Sequence, residues 1–259
     1  TLSRSEIGPE VEGFAVGERV AYAPVTGSYS EQRVIAADRL VRLPDQIDDR
    51  AAAAMMLQGM TAQYLLRQIY RVSSSDVVLV HAAAGGVGLF LCQWAAALGA
   101  TVIGTVSTEE KAAIAAANGC RHVLIHGRQD AVPEIRRLTD GAMASVVYDA
   151  VGRDTFAVSL DSLRPKGHLV SYGHASGPIP PFDVAVLGQK GSLTLTRGTL
   201  ATFTRARGDL LASAGDLFDV VRSGAVKVRV HQTFPLAEAA AAHRMLESRQ
   251  TTGSSILLP

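Results

Sequence analysis

The pattern of hydrophobic and polar positions changes near Ile47. Before this point, short apolar runs broken by Gly and Pro predict a β-rich, irregular segment with strands over 16–22 and 27–34. After it, short apolar runs alternate with stretches of helical periodicity, which is typical of βαβ units. The first run, Val77 to Val80, suits a strand that is buried on both faces of a parallel sheet. The sequence therefore predicts an α/β fold with a doubly wound parallel sheet.

Capping and turn residues give the expected boundaries of these elements. Asp48 is placed to cap the first long helix, and Ser107 with Glu110 predicts a capping box at the start of the third. Gly99 and Asn118-Gly119 are placed to end helices. We expect strands over 77–80, 101–106, 122–125, 145–148, 168–172, 192–196 and 226–230, and helices over 51–70, 87–98, 107–117, 131–138, 154–163, 197–222 and 236–247.

Composition excludes several classes of protein. The 259 residues are 47% hydrophobic and 19% charged, as in ordinary globular proteins, and a formal net charge of +1 argues against nucleic-acid or anionic membrane partners. The two cysteines exclude a disulfide scaffold and a four-cysteine zinc site. The sequence has neither a signal peptide nor an apolar run of about 18 residues, so we expect a cytoplasmic protein. Because the chain begins with Thr1, we interpret it as processed, cut or incomplete.

The sharpest motif is His81-Ala-Ala-Ala-Gly-Gly-Val-Gly88, between a predicted strand and a predicted helix. This is the context of a dinucleotide-binding turn, in which glycines let backbone N–H groups approach a pyrophosphate at a helix N-terminus. Ala83 stands where the usual G-x-G-x-x-G has its first glycine. The alternative is a glycine-rich turn without a ligand.

The end of the second strand predicts which nucleotide binds. NAD sites usually place Asp or Glu there to hold the ribose hydroxyls, whereas this chain has Ser107, with Lys111 one helical turn later. A hydroxyl and a cation suit a 2′-phosphate better than a carboxylate does. Glu109 and Glu110 complicate this interpretation, and we favour for both a role in the first turn of a helix.

Other catalytic patterns are absent from the sequence. No Tyr is followed four residues later by Lys, and Ser176 stands one place late for a nucleophile elbow. The seven histidines show no H-E-x-x-H spacing, so we expect no metal site. The residues alone identify no catalytic side chain.

Several stretches together resemble the zinc-independent NADPH:quinone oxidoreductases, the zeta-crystallin-like branch of the medium-chain dehydrogenase/reductase superfamily. The resemblance extends from about Gly13 to the C-terminal tail. It is carried by residues 57–66, 80–88, 92–95, 147–152, 189–193 and 252–255.

The resemblance implies two domains, a Rossmann domain that binds NADPH and a GroES-like β domain. We expect the N-terminal part of the GroES-like domain over 1–47, the Rossmann domain over 48–223, and a return segment to the GroES-like domain over 224–259. Relatives begin with a further stretch, so the chain looks N-terminally incomplete and its own activity is open.

The resemblance also implies cofactor-binding residues. Gly86 and Val87 match the pyrophosphate turn, and Ser107, Lys111 and Arg249 match the 2′-phosphate site. His126 stands where relatives carry a Tyr near the adenosine. The remaining implied contacts are Tyr64, Val151, Tyr172, Gly173, His174, Thr199 and Leu200.

We therefore expect metal-free hydride transfer from NADPH to a quinone. The alternatives are an enone or alkene reductase of the same superfamily and a nucleotide-binding protein with little catalysis. Residues 192–196 alternate and are β-branched, and in the doubly wound order they form the outermost strand. We expect a homodimer through this edge, as the resemblance also implies; the alternative is an edge covered by the following helix.

Overall fold

The structure is a computed structural model that describes residues 2–3, 6–248 and 250–259. The chain divides into two compact units. The first combines residues 1–61 with 200–259, and the second is residues 62–199. In the described part of the chain, no helix has the length and apolarity needed to cross a membrane.

Helices and strands alternate through most of the chain. The helices are α1 (Asp49–Gln63), α2 (Gly86–Ala97), α3 (Glu109–Ala116), α4 (Ala131–Leu138), α5 (Phe156–Asp161), α6 (Ala185–Gln189), α7 (Leu200–Phe203), α8 (Arg207–Arg222) and α9 (Ala239–Glu247). The strands are β1 (Leu2–Ser3), β2 (Arg19–Ala21), β3 (Val41–Arg42), β4 (Val77–His81), β5 (Thr101–Val106), β6 (His122–Ile125), β7 (Ala144–Asp149), β8 (Leu163–Ser171), β9 (Thr194–Thr196), β10 (Val230–Pro235) and β11 (Ser254–Leu258).

The second unit is built on a six-stranded parallel sheet in the order β6-β5-β4-β7-β8-β9. The order reverses between β4 and β7, as in the Rossmann fold, so the predicted doubly wound sheet is confirmed. In this arrangement β9 lies at the edge, as the sequence predicts.

The core of this unit lies on the central strands. Leu79, Ile103, Val147 and Leu169 are fully buried on β4, β5, β7 and β8. Each such side chain contributes roughly 1.5–3 kcal/mol through its burial. Because both faces of the sheet are covered, these strands read as continuous apolar runs rather than alternating ones.

The first unit contains the short antiparallel sheet β1-β2-β3 and the parallel pair β10-β11. The predicted cap of α1 is confirmed, since the Ala51 N–H donates to Asp48 Oδ1 at 2.8 Å. The C-terminal strand is tied to the same helix, because Ser254 Oγ donates to the Ala54 carbonyl at 3.0 Å. Residues far apart in sequence therefore share this unit.

Two predictions for the first half of the chain are wrong, and in both cases the hydroxyl of a nearby Ser or Thr explains the difference. Residues 27–34 form bends rather than a strand, because the hydroxyls of Ser28 and Ser30 donate to the carbonyls of Val25 and Gly27. The cap of α3 is Thr108 rather than Ser107, since its Oγ1 accepts the Lys111 N–H at 3.2 Å.

Two predictions near the C-terminus also need correction. The expected long helix to Arg222 is split into α7 and α8, and the hydroxyl of Thr204 closes the first by donating to the Leu200 carbonyl at 2.8 Å. The strand expected at 226–230 begins only at Val230. The Val226 N–H donates to the Val220 carbonyl at 3.0 Å, so Val226 belongs to the turn that closes α8, and residues 227–229 are irregular.

The start of α2 gives a stability prediction. A Cβ at Gly88 would lie 2.3 Å from the Ala82 carbonyl oxygen, whereas a Cβ at Gly188 would meet nothing within 4 Å. Gly88→Ala should lower the free energy of unfolding by about 1–3 kcal/mol, because backbone must shift. Gly188→Ala should leave it unchanged or raise it by up to about 1 kcal/mol. Denaturant unfolding measures both, and equal effects would contradict the close approach at Gly88.

Candidate active site

The carboxyl ends of the parallel strands bring most of the predicted site residues to one edge of the second unit. In an open α/β sheet, ligands bind at this edge, near the point where the strand order reverses. The residues that directly follow the strands are Gly86 and Val87 after β4, Ser107 after β5, His126 after β6, Val151 after β7, and Tyr172, Gly173 and His174 after β8, with Thr199 a little beyond β9.

The turn between β4 and α2 leaves backbone N–H groups available to a ligand. Gly85 precedes the helix in an extended conformation and provides no side-chain cap. Ala82 adopts a left-handed backbone with φ of 54°, and its carbonyl accepts the Gly85 N–H at 2.9 Å. The first N–H groups of the helix, from Gly86 and Val87, therefore have the arrangement that can attract an anion, with the helix dipole in the same sense.

The ends of β5 and β6 form the next part of the edge. The His126 N–H donates to the Val106 carbonyl at 2.9 Å, which places His126 beside the turn that starts at Ser107. Glu109, in the first turn of α3, is ion-paired with Arg128. This pairing adds a role for Glu109 beyond the expected one at the helix terminus. The turn therefore presents a hydroxyl and Lys111 at the place where NAD sites carry a carboxylate.

A buried carboxylate shapes the loop after β7. Asp149 Oδ1 accepts the N–H groups of Val151 at 2.8 Å and Gly152 at 3.0 Å. The carboxylate also accepts the hydroxyls of Thr155 at 2.8 Å and Ser159 at 2.8 Å. From the sequence, Asp149 is only one residue of the stretch 147–152 that resembles the family. Its hydrogen bonds to the loop and to α5 are visible only in the folded structure.

Backbone contacts join this loop to the one after β8. The Tyr172 N–H donates to the Asp149 carbonyl at 2.9 Å, and Ser176 N donates to the Val151 carbonyl at 2.8 Å. A Cβ at Gly173 would lie 2.5 Å from the Ala150 carbonyl oxygen. The loops that carry Val151 and Tyr172 to His174 therefore form one packed group.

Arg197 is a second residue that the sequence analysis missed. It follows β9, and its guanidinium donates to Ser171 Oγ at 2.9 Å and to the Gly173 carbonyl at 2.8 Å. It also lies 3.1 Å from His174 Nδ1, which must be the acceptor because a guanidinium only donates. Arg197 thus holds the loop after β8 against the edge strand.

Two predicted site tyrosines remain protonated at neutral pH. Tyr64 is buried, and desolvation raises its pKa to about 12 although the Arg197 charge opposes the shift. Its hydroxyl lies 3.5 Å from the Gly198 carbonyl, to which it donates. Burial likewise raises the pKa of Tyr172. Neither phenol is therefore suited to act as a base near pH 7.

His81 lies fully buried between strands at the same edge. Its Nδ1 is 2.8 Å from Thr105 Oγ1, and its Nε2 is 3.0 Å from Ser159 Oγ. Burial lowers its pKa to about 4, the Asp149 charge opposes this shift, and His126 adds a further lowering. A Ser, a His and an Asp thus meet here, but the serine lies between the other two and is fully buried. This geometry excludes a hydrolase triad, in which the histidine stands between them.

An open pocket of about 600 Å³ lies beyond the ends of β8 and β9. Its wall is a proline-rich apolar loop, and its polar groups are His174, Arg197 and Ser171. Two predicted site residues, Gly173 and His174, line it. The other lining residues are Pro178, Ile179, Pro180, Pro181, Phe182 and Leu195.

Two predicted site residues fall outside the second unit as the structure describes it. Leu200 is buried at the start of α7 in the first unit, and Arg249 lies outside the described residues. Within the described residues, no cluster of three or more His, Cys, Asp or Glu side chains is arranged to hold a metal ion.

Comparison with known proteins gives a consistent result. The family described as "Zinc-binding dehydrogenase" matches residues 86–212. The chain is 49% identical to a quinone oxidoreductase of Pseudomonas aeruginosa, over 98% of this chain and 78% of that protein. It is 48% identical to a 2-haloacrylate reductase of a Burkholderia species, with the same coverage of both.

A solved structure shows the same fold. The Escherichia coli quinone oxidoreductase in complex with NADPH matches with a TM-score of 0.95 and 44% identity, over 98% of this chain and 79% of that one. These identities, over nearly all of this chain, accompany the Rossmann strand order and the glycine turn described above. The chain therefore belongs to the quinone oxidoreductase family of the medium-chain dehydrogenase/reductase superfamily.

Proposed function

We propose that this chain transfers a hydride from NADPH to a small-molecule quinone without a metal ion. The observation that carries the proposal is the strand edge itself. At this edge, the start of α2 at Gly86 has no side-chain cap, so its N–H groups can receive a pyrophosphate. The residue directly after β5 is Ser107 rather than the carboxylate that is usual in NAD sites. The quinone oxidoreductases of P. aeruginosa and E. coli are relatives over almost the whole of this chain, and the E. coli structure contains NADPH.

The residues present fit NADPH. The N–H groups of Gly86 and Val87 would hold the pyrophosphate, and Ser107 with Lys111 would hold the 2′-phosphate. The ion pair between Glu109 and Arg128 partly neutralises the nearest carboxylate, which reduces its repulsion of a phosphate. Tyr64, Val151, Tyr172, Gly173, His174 and Thr199 would line the rest of the cofactor, and the proposal extends to Leu200, Arg249 and His126.

Hydride transfer from NADPH to a quinone needs little catalytic assistance from protein side chains. Bound NADPH supplies the hydride, and a quinone is already electrophilic, so no metal is needed to polarise it. The oxygen that gains charge can take its proton from water. The protein orients the nicotinamide and quinone and excludes water between them. The neutral phenols of Tyr64 and Tyr172 add no charge to this region.

We also propose the domain division expected from the sequence, with a partial GroES-like domain over 1–47 and 224–259 and the Rossmann domain over 48–223. The grouping of the N-terminal and C-terminal segments in one unit supports the pairing of these two segments, although that unit also takes in residues 48–61 and 200–223. A cytoplasmic location belongs to the same proposal. Cys92 and Cys120 are free, with sulfur atoms 3.3 Å apart, which suits a reducing compartment.

A homodimer through β9 is a further part of the proposal. The strand ends the sheet and leaves one row of backbone N–H and C=O groups without a neighbouring strand in the described sheet. Phe182 is 39% exposed and Val184 71% exposed on the loop and helix that lead to this edge. Pairing with the same strand of a second copy would satisfy the backbone groups and cover these side chains.

Turnover with alternative acceptors tests the function. NADPH oxidation should be rapid with 1,4-benzoquinone, slower with 2-chloroacrylate, and unchanged by a metal chelator. The 2-haloacrylate reductase of Burkholderia makes the second acceptor the specific alternative. Turnover of the haloacrylate alone would assign the protein to that alternative. Tight NADPH binding without either turnover would indicate a nucleotide-binding protein.

Lys111→Ala tests the 2′-phosphate site. Loss of one charge-assisted contact should weaken NADPH binding by about 10- to 150-fold and leave NADH binding nearly unchanged. Lys190→Ala is the matched control, because Lys190 pairs with Asp161 near the start of β9, at the opposite edge of the sheet. Titration calorimetry measures both cofactors, and equal losses for NADPH and NADH would contradict the assignment.

Proline substitutions on β9 test the dimer. Successive N–H groups of a strand point to opposite sides, so Leu195→Pro and Thr196→Pro remove one inward and one outward group. The variant that loses the outward group should sediment as a monomer while retaining its unfolding midpoint. The other should be less stable, because it loses a bond to β8. A wild-type protein that sediments as a monomer at micromolar concentration would refute the dimer.

A further inference from the structure

The hydrogen atoms of the buried cluster at the strand edge can be assigned by counting donors and acceptors. The Asp149 carboxylate only accepts, so the one hydroxyl hydrogen of Ser159 must point to it. Ser159 Oγ can then only accept from His81 Nε2, 3.0 Å away. His81 therefore carries a hydrogen on Nε2, and in the neutral ring Nδ1 can only accept the hydrogen of Thr105 Oγ1, 2.8 Å away.

The hydrogen bonds thus run in one direction, from Thr105 through His81 and Ser159 to Asp149. We call these four residues the edge chain. All four residues are buried, with at most 1% of each exposed. Burial lowers the pKa of His81 to about 4, which keeps its ring neutral at pH 7 as this direction requires. Hydrogen bonds aligned in one direction polarise and strengthen one another.

Three members of the edge chain adjoin loops that carry proposed cofactor contacts, and Ser159 joins two of the three, His81 and Asp149. His81 directly precedes the turn to Gly86, and Thr105 comes two residues before Ser107. The Thr105 carbonyl also accepts the Ala83 N–H at 3.1 Å, which ties the turn to β5. Asp149 holds the N–H groups of the loop that carries Val151.

We propose that Asp149, acting through Ser159 and His81, is a positioning residue that sets the spacing of these cofactor loops. The inference rests on the proposed function, because it takes the loops to be the cofactor site. A purely structural role would make Ser159 equivalent to any other buried hydroxyl of α5. Positioning requires that its loss affect cofactor binding more than stability.

A pair of serine variants separates these possibilities. Ser162, directly after α5, is also fully buried, and its hydroxyl donates to the Val158 carbonyl at 2.7 Å, away from the edge chain. Ser159→Ala should raise the KM and the Kd for NADPH about 10-fold, with kcat changed less than 3-fold, since one hydrogen bond of a carboxylate chain is lost. Ser162→Ala should alter both constants less than 2-fold. Equal changes in the two variants would overturn the proposal.

Nitrogen NMR of the His81 ring gives a readout that requires no cofactor. In the wild-type protein at pH 7, Nε2 should carry the hydrogen. In Asp149→Asn, the new amide donates to Ser159, which must turn its hydrogen towards His81, so the ring should change to the Nδ1–H tautomer. A charged ring, or an Nδ1–H tautomer in the wild-type protein, would overturn the proposal even if every variant misfolds.

Amide exchange distinguishes this inference from the proposed function. In the cofactor-free protein, the N–H groups of Val151 and Gly152 should exchange faster in Ser159→Ala than in Ser162→Ala. If the wild-type protein fails to bind NADPH, the proposed function is wrong, and this comparison still decides whether the edge chain orders the loop. Unchanged exchange at both amides would overturn the inference whatever the cofactor.

Discussion

The turn at the start of α2 can exist only because no side chain stands at Gly88, where a Cβ would approach the Ala82 carbonyl oxygen to 2.3 Å. The same packing limits β5, since a Cβ at Gly104 would lie 2.7 Å from both the Ala83 Cβ and the Cys120 sulfur. Gly88 therefore lets the backbone of α2 approach that of the turn, and Gly104 leaves room on β5 for the side chains of Ala83 and Cys120. That close packing aims the first N–H groups of α2 at the strand edge, where an anion can reach them.

A second constraint is the full burial of a carboxylate at Asp149. A buried charge is tolerated only when donors surround it, and here the donors are two backbone N–H groups and the hydroxyls of Thr155 and Ser159. Because all these donors belong to the chain itself, its own contacts hold the loop after β7 in place. Less conformational entropy is then lost on binding.

The sequence is most informative where one local cause dominates. Prediction and structure agree residue for residue for two strands, 101–106 and 122–125, and for one helix, 131–138. For the strands, the reason is that buried parallel strands are continuous β-branched runs between turn residues. The expected strand over 27–34 fails because serine hydroxyls bond to nearby carbonyls, an effect that apolar periodicity does not reveal.

The residues of the candidate site also fall into those that the sequence predicts and those that only the fold reveals. The glycine turn and the Ser107–Lys111 pair follow from spacing, since their partners are neighbours in sequence. The roles of Asp149, His81 and Arg197 do not, because their contacts cross the fold. His81 meets Ser159 78 residues away, and Arg197 meets Ser171 26 residues away. Only the strand order, which sets the edge at which these residues gather, makes such contacts foreseeable.

The comparisons include relatives that are named for different acceptors. A quinone oxidoreductase and a 2-haloacrylate reductase are 49% and 48% identical to this chain, so overall similarity does not separate the two acceptors. A quinone and a 2-haloacrylate are both electron-poor conjugated acceptors, so the proposed cofactor edge would serve either. Discrimination between acceptors is a difference in binding free energy at the reacting face, where one or two side chains suffice to change it by about 1–3 kcal/mol. In our proposal the cofactor edge accounts for the donor half of the reaction, and the acceptor half depends on the side chains at the reacting face.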